Sequence, residues 1–103
     1  MAQRVTIGRV SDIPAGGVAV VTIRNRDIAV FNVDGKLFAI DDTCPHQGAS
    51  LSGGAVEDGC VTCPLHAWRF RLSDGAWADS PRVKIGSYPV HIVGDELQLE
   101  VPD

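Results

Sequence analysis

The chain has 103 residues, 45% of them hydrophobic and 21% charged, enough for one modest core and too little for a second domain. Thirteen acidic against nine basic side chains give a net charge of −4, which disfavours nucleic acid as a partner and serves either ordinary solubility or a basic docking patch on another protein. No stretch reaches the apolar length of a membrane span, and MAQRVTIGRV lacks the apolar core of a signal peptide. With an odd count of three Cys arguing against a disulfide framework, no membrane role and a reducing, cytoplasmic setting are expected.

The predicted elements are β almost throughout. Val18–Ile23 and residues 27–33 are β-branched runs joined by a polar turn. Asp34-Gly35 then leads into 36–40, a strong hairpin signal between two apolar runs. Residues 41–54 (DDTCPHQGASLSGG) break the strand pattern with turn formers, leaving room for at most a short helical turn near 49–51. Further strands are predicted at 60–63, 68–72, 87–93 and 96–101, with turns at Ser73-Asp74-Gly75 and Gly94-Asp95. Pro64 stops the strand that ends at Cys63. Many short strands at close spacing imply a single all-β domain over 1–103, a sandwich or small barrel.

Two phrases interrupt this pattern: Cys44-Pro-His46 and Cys63-Pro-Leu-His66, each pairing one thiol with one imidazole in a proline-marked loop. Two Cys and two His are a metal-site inventory. They could hold a tetrahedral zinc, or two irons bridged by sulfides. Zinc ribbons usually take two thiolates from one C-x2-C turn, whereas here each turn offers mixed ligands. A binuclear cluster accounts for the mixture if one iron takes both Cys and the other both His. Neutral imidazoles in place of two thiolates would ease reduction.

The ordered spacing C-x-H then C-x-x-H at Cys44, His46, Cys63 and His66 resembles the Rieske family. Gly48, Leu51, Gly59, Phe70 and the Asp74-Gly75 turn extend the likeness over the chain. The resemblance implies an antiparallel β-sandwich carrying a small cluster-binding subdomain of two ligand loops, about residues 41–80. It also implies one 2Fe-2S cluster, with Cys44 and Cys63 on one iron and His46 and His66 on the other. Departures from the family narrow the class. High-potential members carry two extra Cys forming a disulfide between the loops, but Ala49 and Leu65 occupy those positions here. They also place hydroxyl donors where this chain has Trp68 and Phe70. Without those donors the reduced state is less stabilised, so a potential of roughly −150 mV is expected, at the low end for such centres.

Other residues have plainer readings. Cys60 superficially makes a C-x-x-C with Cys63, but strand alternation would set the two on opposite faces, and a small core residue is the expectation. His91 is expected half-exposed on a late strand, and Asp41-Asp42 as solvated loop acids. Trp68 and Trp77 flank a turn and could pack the core or shield the cluster. Gly48, Gly53 and Gly54 could make turns or let amides approach sulfides. Pro81 resembles the proline-bearing loop that covers the cluster in the family. The chain bears no nucleophile triad, P-loop or dinucleotide fingerprint and ends before any oxygenase domain, so it is read as a carrier or subunit and not as an enzyme in itself. The resemblance implies either the ferredoxin component of a dioxygenase, working between a flavin reductase and a terminal oxygenase, or the small subunit of an NAD(P)H-dependent assimilatory nitrite reductase beside its large subunit. A structural zinc module is the remaining alternative.

Overall fold

The computed structural model describes residues 2–43, 50–64 and 68–102, apart from the side chains of Ala2 and Pro81. Among them, strands dominate and form three antiparallel sheets. The central sheet contains β2 (Val18–Ile23), β3 (Arg26–Val33), β4 (Lys36–Asp41) and β10 (Ser87–Tyr88), ordered β10-β4-β3-β2. A second sheet joins β1 (Ala2–Arg9), β12 (Glu96–Pro102) and β11 (Val90–Val93), in the order β1-β12-β11. The third is a meander of β5 (Val56–Glu57), β6 (Cys60–Thr62), β7 (Arg69–Arg71), β8 (Ala76–Trp77) and β9 (Ser80–Lys84), with neighbours in chain order.

The local signals explain the hairpins. Arg24-Asn25 and Asp34-Gly35 turn with positive φ at both residues (52° and 66°, then 52° and 90°), the two-residue geometry that matches strand twist. The register that follows pairs Phe31 with Phe38 and Ala29 with Ile40 on one face, and Val30 with Ala39 on the other.

Alternation then divides the interior into two cores. Ile28, Ala29, Val30, Phe31 and Asn32 are consecutive and all buried, which one half-wet sheet face could not achieve. Ala29, Phe31 and Ile40 pack with Leu51, Val61, Cys63, Phe70 and Leu72 of the third sheet and its approach. Ile28, Val30 and Ala39 pack instead with Leu97, Leu99 and Val101 of the second sheet. The central sheet is thus covered on both faces, and one of those faces is the floor beneath the candidate site.

Three sequence expectations change. The predicted strand at 87–93 is two strands, β10 and β11, in different sheets, because Pro89 lacks the N–H that a continuous ladder needs. Pro81 lies within β9, an edge strand that tolerates proline, and not in a loop. The short helical turn expected near 49–51 is a 3-10 turn at Leu51–Gly53.

Candidate metal centre

The second ligand loop rises from a backbone ladder. Cys60 pairs with Arg71, Val61 with Phe70 and Thr62 with Arg69, and the Cys63 N–H then donates to the Trp68 carbonyl at 2.7 Å. Alternation turns Cys60 and Thr62 outward and leaves Val61 and Cys63 fully inside, at 0% and 1% exposure. Cys60 and Cys63 therefore face opposite sides, as strand alternation predicts, and make no two-thiol knuckle. Cys60 is half-exposed and not the core residue expected from the sequence, because alternation gives the inner face to Val61. Trp68 stacks on Trp77 with ring centroids 3.8 Å apart and 10° between planes, and lies 6.3 Å from the Phe70 ring. Both tryptophans pack against the core under the loops, forming an aromatic wall at the base of the second loop. The Trp77 indole N–H is buried with no partner among the described residues.

The first loop has a different neck. Among the described residues one bridge, Thr43 with Ser50, closes it as a strand would. Asp42 supplies the rest: its carbonyl accepts the Leu51 N–H at 2.6 Å, and its Oδ1 accepts the Ser52 N–H at 2.8 Å. The Asp42 N–H donates to the Asp27 carbonyl at 2.9 Å, extending the β3–β4 pairing beyond its last rung. Beside it, Asp41 accepts the Gly86 N–H at 2.7 Å and the Tyr88 hydroxyl at 2.5 Å, while Arg26 donates to the Tyr88 oxygen at 3.3 Å. Burial, and then the hydrogen bond to Asp41, push the Tyr88 phenol above its ordinary range. The hydrogen bond to Tyr88 raises the Arg26 guanidinium further.

These acids correct the sequence reading. Asp42 is 4% exposed, so the pair is structural and not a solvated loop. The partner of Asp42 lies ten residues on and those of Asp41 more than forty, beyond the reach of local pattern. Of the two readings of Gly53 and Gly54, the structure takes the turn. Their amides are taken by the Ser50 and Leu51 carbonyls and are not offered to a ligand.

The two necks adjoin. The Thr62 N–H donates to the Ala55 carbonyl at 2.9 Å, and a Cβ on Gly54 would stand 1.9 Å from the Thr62 oxygen. Only glycine permits that approach. Leu51, leaving the first loop, and Cys63, entering the second, rest in the same core. Cys44, His46, Gly48 and His66 lie outside the described residues, as do Ala49 and Leu65. Cys63 is described, and its setting fits a metal-cluster ligand: a sulfur donor held by a backbone bond on a dry floor beside the other loop's base. Among the described residues no three His, Cys, Asp or Glu side chains gather into another metal site. His91 lies on β11, half-exposed and 3.4 Å from Glu100, away from these loops.

The Rieske [2Fe-2S] domain model matches residues 3–89. The 3-phenylpropionate/cinnamic acid dioxygenase ferredoxin subunit of Shigella flexneri serotype 5b (strain 8401) is 38% identical over 96 residues, covering 91% of this chain and 90% of that protein. The ferredoxin component of the naphthalene 1,2-dioxygenase system of Pseudomonas aeruginosa is 34% identical over 91 residues, covering 87% and 88%. Among solved structures, a Mycobacterium tuberculosis chain described as an NADH-dependent nitrite reductase small subunit superposes with a TM-score of 0.90 at 25% identity, covering 100% of this chain and 98% of its own.

Proposed function

This chain belongs to the Rieske [2Fe-2S] domain family, and from that premise we propose that it is a low-potential electron carrier of a ring-hydroxylating dioxygenase system. It would take single electrons from a flavin reductase and hand them to a terminal oxygenase, working in the cytoplasm as one domain over 1–103. Cys44 and Cys63 would hold one iron, and His46 and His66 the other. When bound, such a cluster supplies reversible one-electron oxidation and reduction.

The observation that carries this reading is the junction of the two necks, with Cys63 buried there on the core that also seats Leu51. The chain's own residues then divide the work. The β6–β7 ladder holds Cys63 in place, and the Trp68–Trp77 wall limits water at the base of its loop. Trp68 and Phe70 stand where hydroxyl donors would stabilise added negative charge, so reduction is harder and the potential low, roughly −150 mV. His46 and His66, as the second iron's ligands, would give the electron its exit and the partner its contact. The acidic balance of the chain suits a basic docking face.

The visible spectrum and composition of the purified protein test the proposal. A red-brown chromophore with about two irons and two sulfides per chain is expected. A colourless protein holding zinc would overturn it. The full-length structural likeness to a nitrite reductase small subunit favours a second reading, a permanent subunit beside a large reductase chain. Co-purification separates the two: a carrier elutes alone and sustains dioxygenase turnover, whereas a subunit elutes with a sirohaem reductase.

A further inference from the structure

Asp42 carries more of the first loop than any other described residue. Its carbonyl, amide and carboxylate all bond to backbone, reaching Leu51, Asp27 and Ser52. Leu51 and Ser52 immediately follow the loop's closing residue, Ser50, while Cys44 lies two residues beyond Asp42. Burying a carboxylate is unfavourable unless the site requires an acceptor. Here the requirement is visible, because Ser52 N–H would otherwise lose its partner at the start of a turn seated on the core. Among the described residues its carboxylate is held by that N–H and makes no ion pair.

We propose that the Asp42 carboxylate is the positioning group at the base of the first ligand loop, holding Ser52 and the turn at Leu51–Gly53 against the core in which Cys63 is buried. The inference rests on the reading of that loop as a cluster-ligand loop. Leu51 shares its core with Cys63, so the turn that Asp42 holds adjoins the base of the other loop. The second loop needs no such side chain, since its ladder runs without interruption to the Cys63–Trp68 bond.

The test compares full-length, cluster-loaded protein carrying Asp42→Ala, Asp42→Asn and Asn32→Ala. Asn32 is a matched control: it is buried, donates to the Ile13 carbonyl and accepts from the Gly35 N–H, and its side chain bonds to neither ligand loop. Readouts are the rate of iron release to a chelator, measured where circular dichroism shows every variant folded, and the electron paramagnetic resonance g values of the reduced form. Asp42→Ala should release iron at least about tenfold faster, with broadened or shifted g values. Asp42→Asn keeps an Oδ1 acceptor and should stay near the wild type. Asn32→Ala should lower the thermal midpoint while releasing iron at the wild-type rate. Where Asp42→Ala does not fold, Asp42→Ser, with its shorter acceptor, should release iron faster than Asp42→Asn. Wild-type release and spectra in the Ala and Ser variants would overturn the proposal, as would equal release from Asn32→Ala. A wild-type chain that holds no iron would instead overturn the functional reading beneath it.

Discussion

The two ligand-loop necks solve the same problem by different means. The second is closed by consecutive backbone pairs and a final 2.7 Å amide-to-carbonyl bond, so its geometry depends little on which side chains line it. Among the described residues the first is closed by one bridge, a backbone bond from the Leu51 N–H to the Asp42 carbonyl and the side chain of Asp42, with Asp41 bonding across to Gly86 and Tyr88. A ladder spreads its stability over many weak equivalents, whereas a side-chain latch concentrates it in one residue. The first loop should therefore be the one that single substitutions disturb.

The largest expected effect tests the second neck. Cys63→Ser should lower iron from about two per chain to near none, while far-UV circular dichroism stays unchanged because the ladder uses the residue's backbone. A variant that keeps its iron would remove Cys63 from the ligand set. Next come the floors under each neck. Phe70→Ala should destabilise the chain by about 4 kcal/mol and Leu51→Ala by about 3 kcal/mol in denaturant unfolding, since both side chains are fully buried. A loss below about 1 kcal/mol for Leu51→Ala would mean that the first neck is not seated on the shared core.

Gly54→Ala acts on the join between the necks. The added Cβ would meet the Thr62 oxygen at 1.9 Å, so the two segments must separate, at about 2 kcal/mol by thermal unfolding. An unchanged midpoint would show the join to be compliant. The smallest effect concerns the Asp41–Tyr88 latch. Tyr88 has its phenol pKa raised by burial and by Asp41, so the folded state retains the proton longer than the unfolded chain does. Its contribution is complete below the ordinary tyrosine value near 10 and is lost as pH rises through the raised folded value. Tyr88→Phe should flatten that alkaline decline in stability. Tyr88 is the chain's single tyrosine, so the tyrosinate ultraviolet band reads the same titration directly.

Legibility in the sequence followed the range of the forces involved. The hairpin at Asp34-Gly35 was readable because two adjacent residues fix its turn. The opposite faces of Cys60 and Cys63 were readable because strand alternation is local. β1 was not read as a strand, since its partner β12 is the last strand of the chain and no short window contains that pairing. Asp41 and Asp42 were misread for a related reason: a charged pair before a turn looks solvated until the residues that cover it are in place. The break at Pro89 was visible as a residue, but not its consequence that one apolar run serves two sheets.

The sequence alone determined the strand-rich class, the turn positions and the inventory of two Cys and two His in mixed pairs, because each depends on neighbours within a few residues. Only the tertiary structure decided that the bases of the two loops adjoin, that Leu51 and Cys63 share one floor, and that a buried carboxylate closes the first loop. Those relations join segments brought together by hydrophobic burial between sheets, a force without direction whose outcome depends on the whole chain.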